Sequence, residues 1–72
     1  MAEAAALEAE DLIRLSSRER KARRVARMIL AAGAVDAVPL QQIETELGAS
    51  RTTAGELRQE AVDLLERGYR PA

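Results

Sequence analysis

The chain has no cysteine and no histidine. Disulfide staples, a Cys/His zinc site and imidazole acid–base chemistry are therefore excluded together. Phenylalanine and tryptophan are missing too, which leaves Tyr69 as the one aromatic residue. Single-stranded nucleic acid, usually held by bases stacking on aromatic rings, loses its normal platform. No apolar run approaches the ~20 residues of a membrane span. The first residues, rich in Ala and Glu, differ from a basic secretory leader. The expectation is a cytoplasmic protein with no membrane contact. Catalytic constellations are also wanting. Glu44 and Glu46 are two positions apart and point to different sides of a helix, and no phosphate-cradling glycine loop is present. No enzymatic activity, cofactor or metal is expected.

What remains is Ala, Leu, Arg and Glu, with few strand formers, and this predicts an all-α fold. Seventy-two residues make one small domain. A chain of this size buries roughly 60% of its unfolded surface, and below about 80 residues one core seldom supplies more than ~5 kcal/mol. The net charge of −1 hides an uneven distribution: residues 1–13 carry −4, residues 14–32 carry +6 and residues 33–72 carry −3. A dense basic segment between two acidic ones is the kind of asymmetry that marks a polyanion partner.

Four helices are expected. Residues 1–15 hold strong helix formers, with four acids placed to suit the N-terminal half. The cluster Leu12, Ile13 and Leu15 asks to be covered, by the domain or by a second copy. We therefore divide the chain into an N-terminal helix for packing or dimerisation (1–15) and a helical domain (16–72). Ser16-Ser17-Arg18-Glu19 fits a capping box. The helix it opens runs to about Ala32 and stops at Gly33. Ala22, Val25, Met28, Ile29 and Ala32 share one side of it, and Arg20, Arg23, Arg24 and Arg27 cluster opposite. Residues 34–38 form a connector, expected to be extended near Val38 because Pro39 disfavours the α region before it.

The stretch from Pro39 to Gly68 organises the rest. Leu40, Ile43 and Leu47 recur at helical spacing. Gly48 is placed where a helix end needs a left-handed residue, and Ser50 is a ready N-cap. A longer helix follows, with Ala54, Leu57, Ala61, Leu64 and Leu65 on one side. Two helices joined by a short glycine-containing turn form a helix-turn-helix unit. The expected core is Val25, Met28, Ile29, Ile43, Leu47, Leu57, Ala61 and Leu64.

Residues 40–59 resemble the helix-turn-helix of bacterial and phage DNA-binding regulators. The pattern asks for apolar residues at its fourth, eighth, tenth, fifteenth and eighteenth positions and Gly at its ninth. Ile43, Leu47, Ala49, Ala54, Leu57 and Gly48 supply them, and GASRTTAGEL is similar to the turn and recognition-helix start of many such proteins. Two positions depart from the pattern: Glu44 stands where a small residue usually packs, and Gly55 lies inside the second helix. The resemblance implies a tri-helical core that binds double-stranded DNA as a small regulator or accessory factor. Only a few residues follow the last helix, so no complete wing is expected.

In such an architecture the second helix of the unit enters the major groove. Arg51, Thr52, Gly55, Glu56 and Gln59 are the expected base readers. Arg suits guanine, Gln adenine, Glu cytosine and Thr a thymine methyl, while Gly55 lets the backbone come close. Arg20, Arg23, Arg24 and Arg27 are expected to line a phosphate strand, joined by Gln41, Ser50 and Thr53. Glu60, Asp63 and Glu66 oppose DNA unless the helix leaves the groove before them. The acidic end can then meet a protein partner. A homodimer through residues 1–15 would supply the symmetry that short DNA binders need. The bias of ten arginines to one lysine, with high alanine, suggests a GC-rich genome. The alternative function is a helical docking module that binds protein and not DNA.

Overall fold

The computed structural model describes residues 16–71. The expected N-terminal helix, with its packing or dimer role, lies outside the described residues. Helix α1 spans Ser17–Ala32. Its start is set by Ser16, whose Oγ accepts the Glu19 amide at 3.1 Å. The Glu19 carboxylate reaches back and accepts from the same hydroxyl at 3.2 Å. The cap is thus reciprocal, although the hydroxyl rather than the Ser16 amide is the donor. Gly33 ends the helix in a left-handed conformation, its amide donating to Ile29 O.

The connector differs from the expectation in part. Val38 is extended, with φ −118° and ψ 89°, but Val35–Ala37 forms a 3-10 turn. The Ala37 and Val38 amides close it on Ala34 O and Val35 O, each at 3.1 Å. The turn swings Val38 into the core, where it is 1% exposed. Pro39 then caps helix α2, Leu40–Leu47, from the position just before its first residue. Gly48 ends α2 with φ 62° and ψ 36°, the left-handed geometry expected of it. Ser50 caps helix α3, Arg51–Glu66, by accepting the Thr53 amide.

The three helices pack round one apolar centre. Ala22, Val25, Ala26 and Ile29 come from α1, Ile43 from α2, and Ala54, Leu57 and Ala61 from α3, with Val38 beneath. Met28, Leu40, Leu47, Leu64 and Leu65 pack half-buried around them. Alanine at four buried positions of α1 and α3 keeps the side-chain bulk between the two helices small. All eight expected core residues belong to this cluster, with Met28, Leu47 and Leu64 at its margin. Four buried members were not among those eight: Ala22 and Ala54, which lay on the expected apolar sides, and Ala26 and Val38, which did not. No polar side chain is buried among the described residues. They form no strand, so the fold is an all-α tri-helical bundle with a helix-turn-helix, and no wing is present among them.

Candidate nucleic-acid interface

Helix α3 has one side in the core, where Ala54, Leu57 and Ala61 are each 0% exposed. Turning 100° per residue places Thr52 and Gln59 nearly opposite, with Gly55 and Glu56 to either side. Arg51, Thr52, Glu56 and Gln59 are exposed and Gly55 is partly so. The fold thus gathers all five expected base readers on the outer half of one helix. A Cβ at Gly55 would meet nothing within 4 Å, and its φ is not positive. Among the described residues, neither packing nor backbone geometry requires glycine there.

The two flanks of this surface carry opposite charge. On the flank toward α2, Arg51 Nη1 lies 3.9 Å from Glu44 Oε2. Arg58, half-buried on the same flank, donates to Val38 O at 3.5 Å. Glu44, the departure from the regulator pattern, thus reaches across to the start of α3 rather than filling the space between helices. On the flank toward α1, Arg18 spans two carboxylates: Nε is 2.9 Å from Glu60 Oε1 and Nη2 is 3.6 Å from Glu56 Oε1. The hydrogen bond to Glu60, and next its charge, hold the Arg18 guanidinium pKa above its ordinary value. Gln59 donates to Asp63 Oδ1 at 3.1 Å, so both polar groups follow the helix axis. Of the three acids that oppose DNA binding, Glu60 is thus paired with a cation, and Asp63 accepts from a neutral amide.

The phosphate-contacting set is less unified than expected. Arg20, Arg24 and Arg27, with Lys21, line an open groove that also meets Glu46 and Leu47 of α2. Arg24 Nη2 lies 3.4 Å from Glu46 Oε2. Arg23 turns toward α3 instead and stands 4.9 Å over the Tyr69 ring. Arg27 Nη1 approaches the Tyr69 hydroxyl at 3.5 Å. The single ladder expected on α1 is divided because the chain turns back after α3, its Tyr69 amide bonding to Leu64 O. The ring is thereby laid against α1. Ser50 and Thr53 are engaged with each other, Ser50 Oγ donating to Thr53 Oγ1 at 3.1 Å, while Gln41 is exposed in the first turn of α2.

Sequence reasoning missed Arg18, Lys21, Glu46 and Arg58. Lys21 was legible as part of the basic run. Arg18 was not, because its partner Glu60 is 42 positions away. Among the described residues no group of His, Cys, Asp or Glu is arranged to hold a metal, and no helix is long and apolar enough to cross a membrane. No family model matches the chain, and comparisons with curated proteins and with solved structures return no significant match.

Proposed function

We propose that the protein binds double-stranded DNA, with the first half of α3 in the major groove, as a small regulator or accessory factor of bacterial or phage type. The observation that carries this reading is Gly55. A glycine inside an exposed helix costs about 1 kcal/mol relative to alanine. Among the described residues no contact or dihedral explains it. Its neighbours on the surface, Thr52, Glu56 and Gln59, are types that bond base edges. A partner whose surface comes close to the α3 backbone accounts for both facts.

Arg51 and Glu56 edge this surface from opposite flanks, and Arg20, Arg24 and Arg27 supply positive charge to a phosphate strand. Asp63 lies ~16 Å along the helix from Thr52 at 1.5 Å per residue, so α3 leaves the groove before its acidic end. Specific affinity in a chain this short calls for a second copy, and residues 1–15 are the segment proposed to join them. The test is titration with random genomic duplex fragments at two salt concentrations, followed by sequencing of the bound pool. Steep weakening with salt and an enriched sequence are expected. No binding below ~100 μM at low salt would sink the reading, since non-specific binders reach ~10⁻⁴–10⁻⁶ M at physiological salt. The exposed carboxylates Asp63 and Glu66 favour one second reading, docking of a protein partner on the end of α3.

A further inference from the structure

We infer that Arg18 is a positioning residue: it fixes the Glu56 carboxylate at the edge of the outer face of α3 and so sets base preference at one position of the target. The inference rests on the DNA reading above and deepens it. Glu56 and Glu60 are one helical turn apart on the same flank, and like charges so placed repel. Arg18, from the first turn of α1, stands between them, with Nε at 2.9 Å from Glu60 and Nη2 at 3.6 Å from Glu56. A guanidinium presents donors in a rigid planar fork, so one side chain serves two carboxylates in a fixed geometry. A lysine ammonium offers only a point charge.

Exposure argues that this arrangement does little for folding. The side chains of Arg18, Glu56 and Glu60 are 48%, 54% and 41% exposed, and ion pairs so exposed contribute little to stability. Its consequence lies in where Glu56 points. The Arg18 contact uses Oε1 of Glu56. A carboxylate keeps acceptor capacity on its second oxygen, and Oε2 can take a hydrogen from the cytosine amino group in the major groove. Without Arg18, Glu56 is repelled by Glu60 and by the phosphate wall. A long, untethered side chain then meets the base edge in many rotamers.

The test uses the full chain, a duplex that the wild type selects from genomic fragments, and the single-base-pair variants of that duplex. Wild type is compared with Arg18→Gln, Glu56→Gln, the double variant and Arg18→Lys, and each protein is melted. Arg18→Gln and Glu56→Gln should lose discrimination at the same base pair, by at least about fivefold, the lower end of what a specific side chain–base contact provides. The double variant should be no worse than Glu56→Gln alone. Arg18→Lys should keep affinity for a scrambled duplex yet lose the discrimination, and the melting temperatures should agree. If Arg18→Gln melts early, Glu60→Gln, which removes the shorter anchor of Arg18, should show the same loss. Equal weakening on every duplex with the preference intact would make Arg18 a simple phosphate contact and overturn the inference. So would a Glu56→Gln protein with unchanged base preference. Wild type that binds no duplex at all would remove the DNA reading and this inference together.

Discussion

The inner and outer faces of α3 obey different rules. The inner face is accounted for residue by residue: Ala54, Leu57 and Ala61 are wholly covered and share one cluster with residues of α1, α2 and Val38. Among the described residues, the outer face is held by exposed ion pairs at its edges and by no apolar packing. Gly55 weakens the helix without relieving a clash, and Arg51 and Glu56 are tethered from neighbouring helices rather than packed. Gly55 on that face is the residue for which the proposed DNA contact gives a reason.

That contrast is most easily broken from the inside. Leu57→Ala should destabilise by ~2–5 kcal/mol, enough to unfold much of so small a domain, whereas half-buried Leu47→Ala should cost less. A Leu57→Ala protein that melts within a few degrees of wild type would deny the inner face its role. On the outer face, Arg51→Ala should leave the melt unchanged. It should weaken the selected duplex by ~1–3 kcal/mol and relax preference at one base pair. Arg24→Ala should weaken selected and scrambled duplex alike and lower the salt slope by about one unit. A loss of sequence preference in Arg24→Ala would reverse the division between reading and positioning.

Two glycines seven positions apart sharpen the comparison further. Gly48→Val forces a branched residue into φ 62° and should destabilise by about 1–2 kcal/mol, the cost of a left-handed L-residue. Gly55→Ala should instead stabilise by ~0.5–1 kcal/mol while weakening DNA binding. Equal thermal losses at both sites would reject the backbone argument for Gly48. A more stable Gly55→Ala protein with undiminished DNA affinity would take away the observation on which the proposed function rests.

Much of the bundle was legible in the sequence because its signals are local. Ser16 and Ser50 cap helices within three residues of themselves, and Gly48 marks a helix end by its own dihedral preference. The apolar sides of α1 and α3 follow from helical spacing. What escaped depends on how helices cross. Which flank of α1 meets α3 decides that Arg18 reaches Glu60 and Arg23 reaches Tyr69, and no spacing rule carries that information. Val38 was missed for a related reason: a 3-10 turn in a connector has no strong residue signature, yet it redirected the chain by enough to bury a side chain. The outer-face residues were legible as a set, but their tethers were not.

The alanines between α1 and α3 also change what kind of damage the molecule can suffer. Four of the nine buried core residues are alanine, at 22, 26, 54 and 61. Such side chains have almost nothing to lose, so deletion of atoms opens no large hole at those sites. Added atoms have little room, because all four alanines are buried in the core that α1 and α3 share, and enlargement there typically costs about 1–3 kcal/mol. The seam is therefore more vulnerable to added than to lost volume, where Ala→Gly costs the helix about 1 kcal/mol. Random variation will find its failures among gains of volume, such as Ala54→Val or Ala61→Leu, and the same seam will pass a conventional alanine scan without leaving a mark.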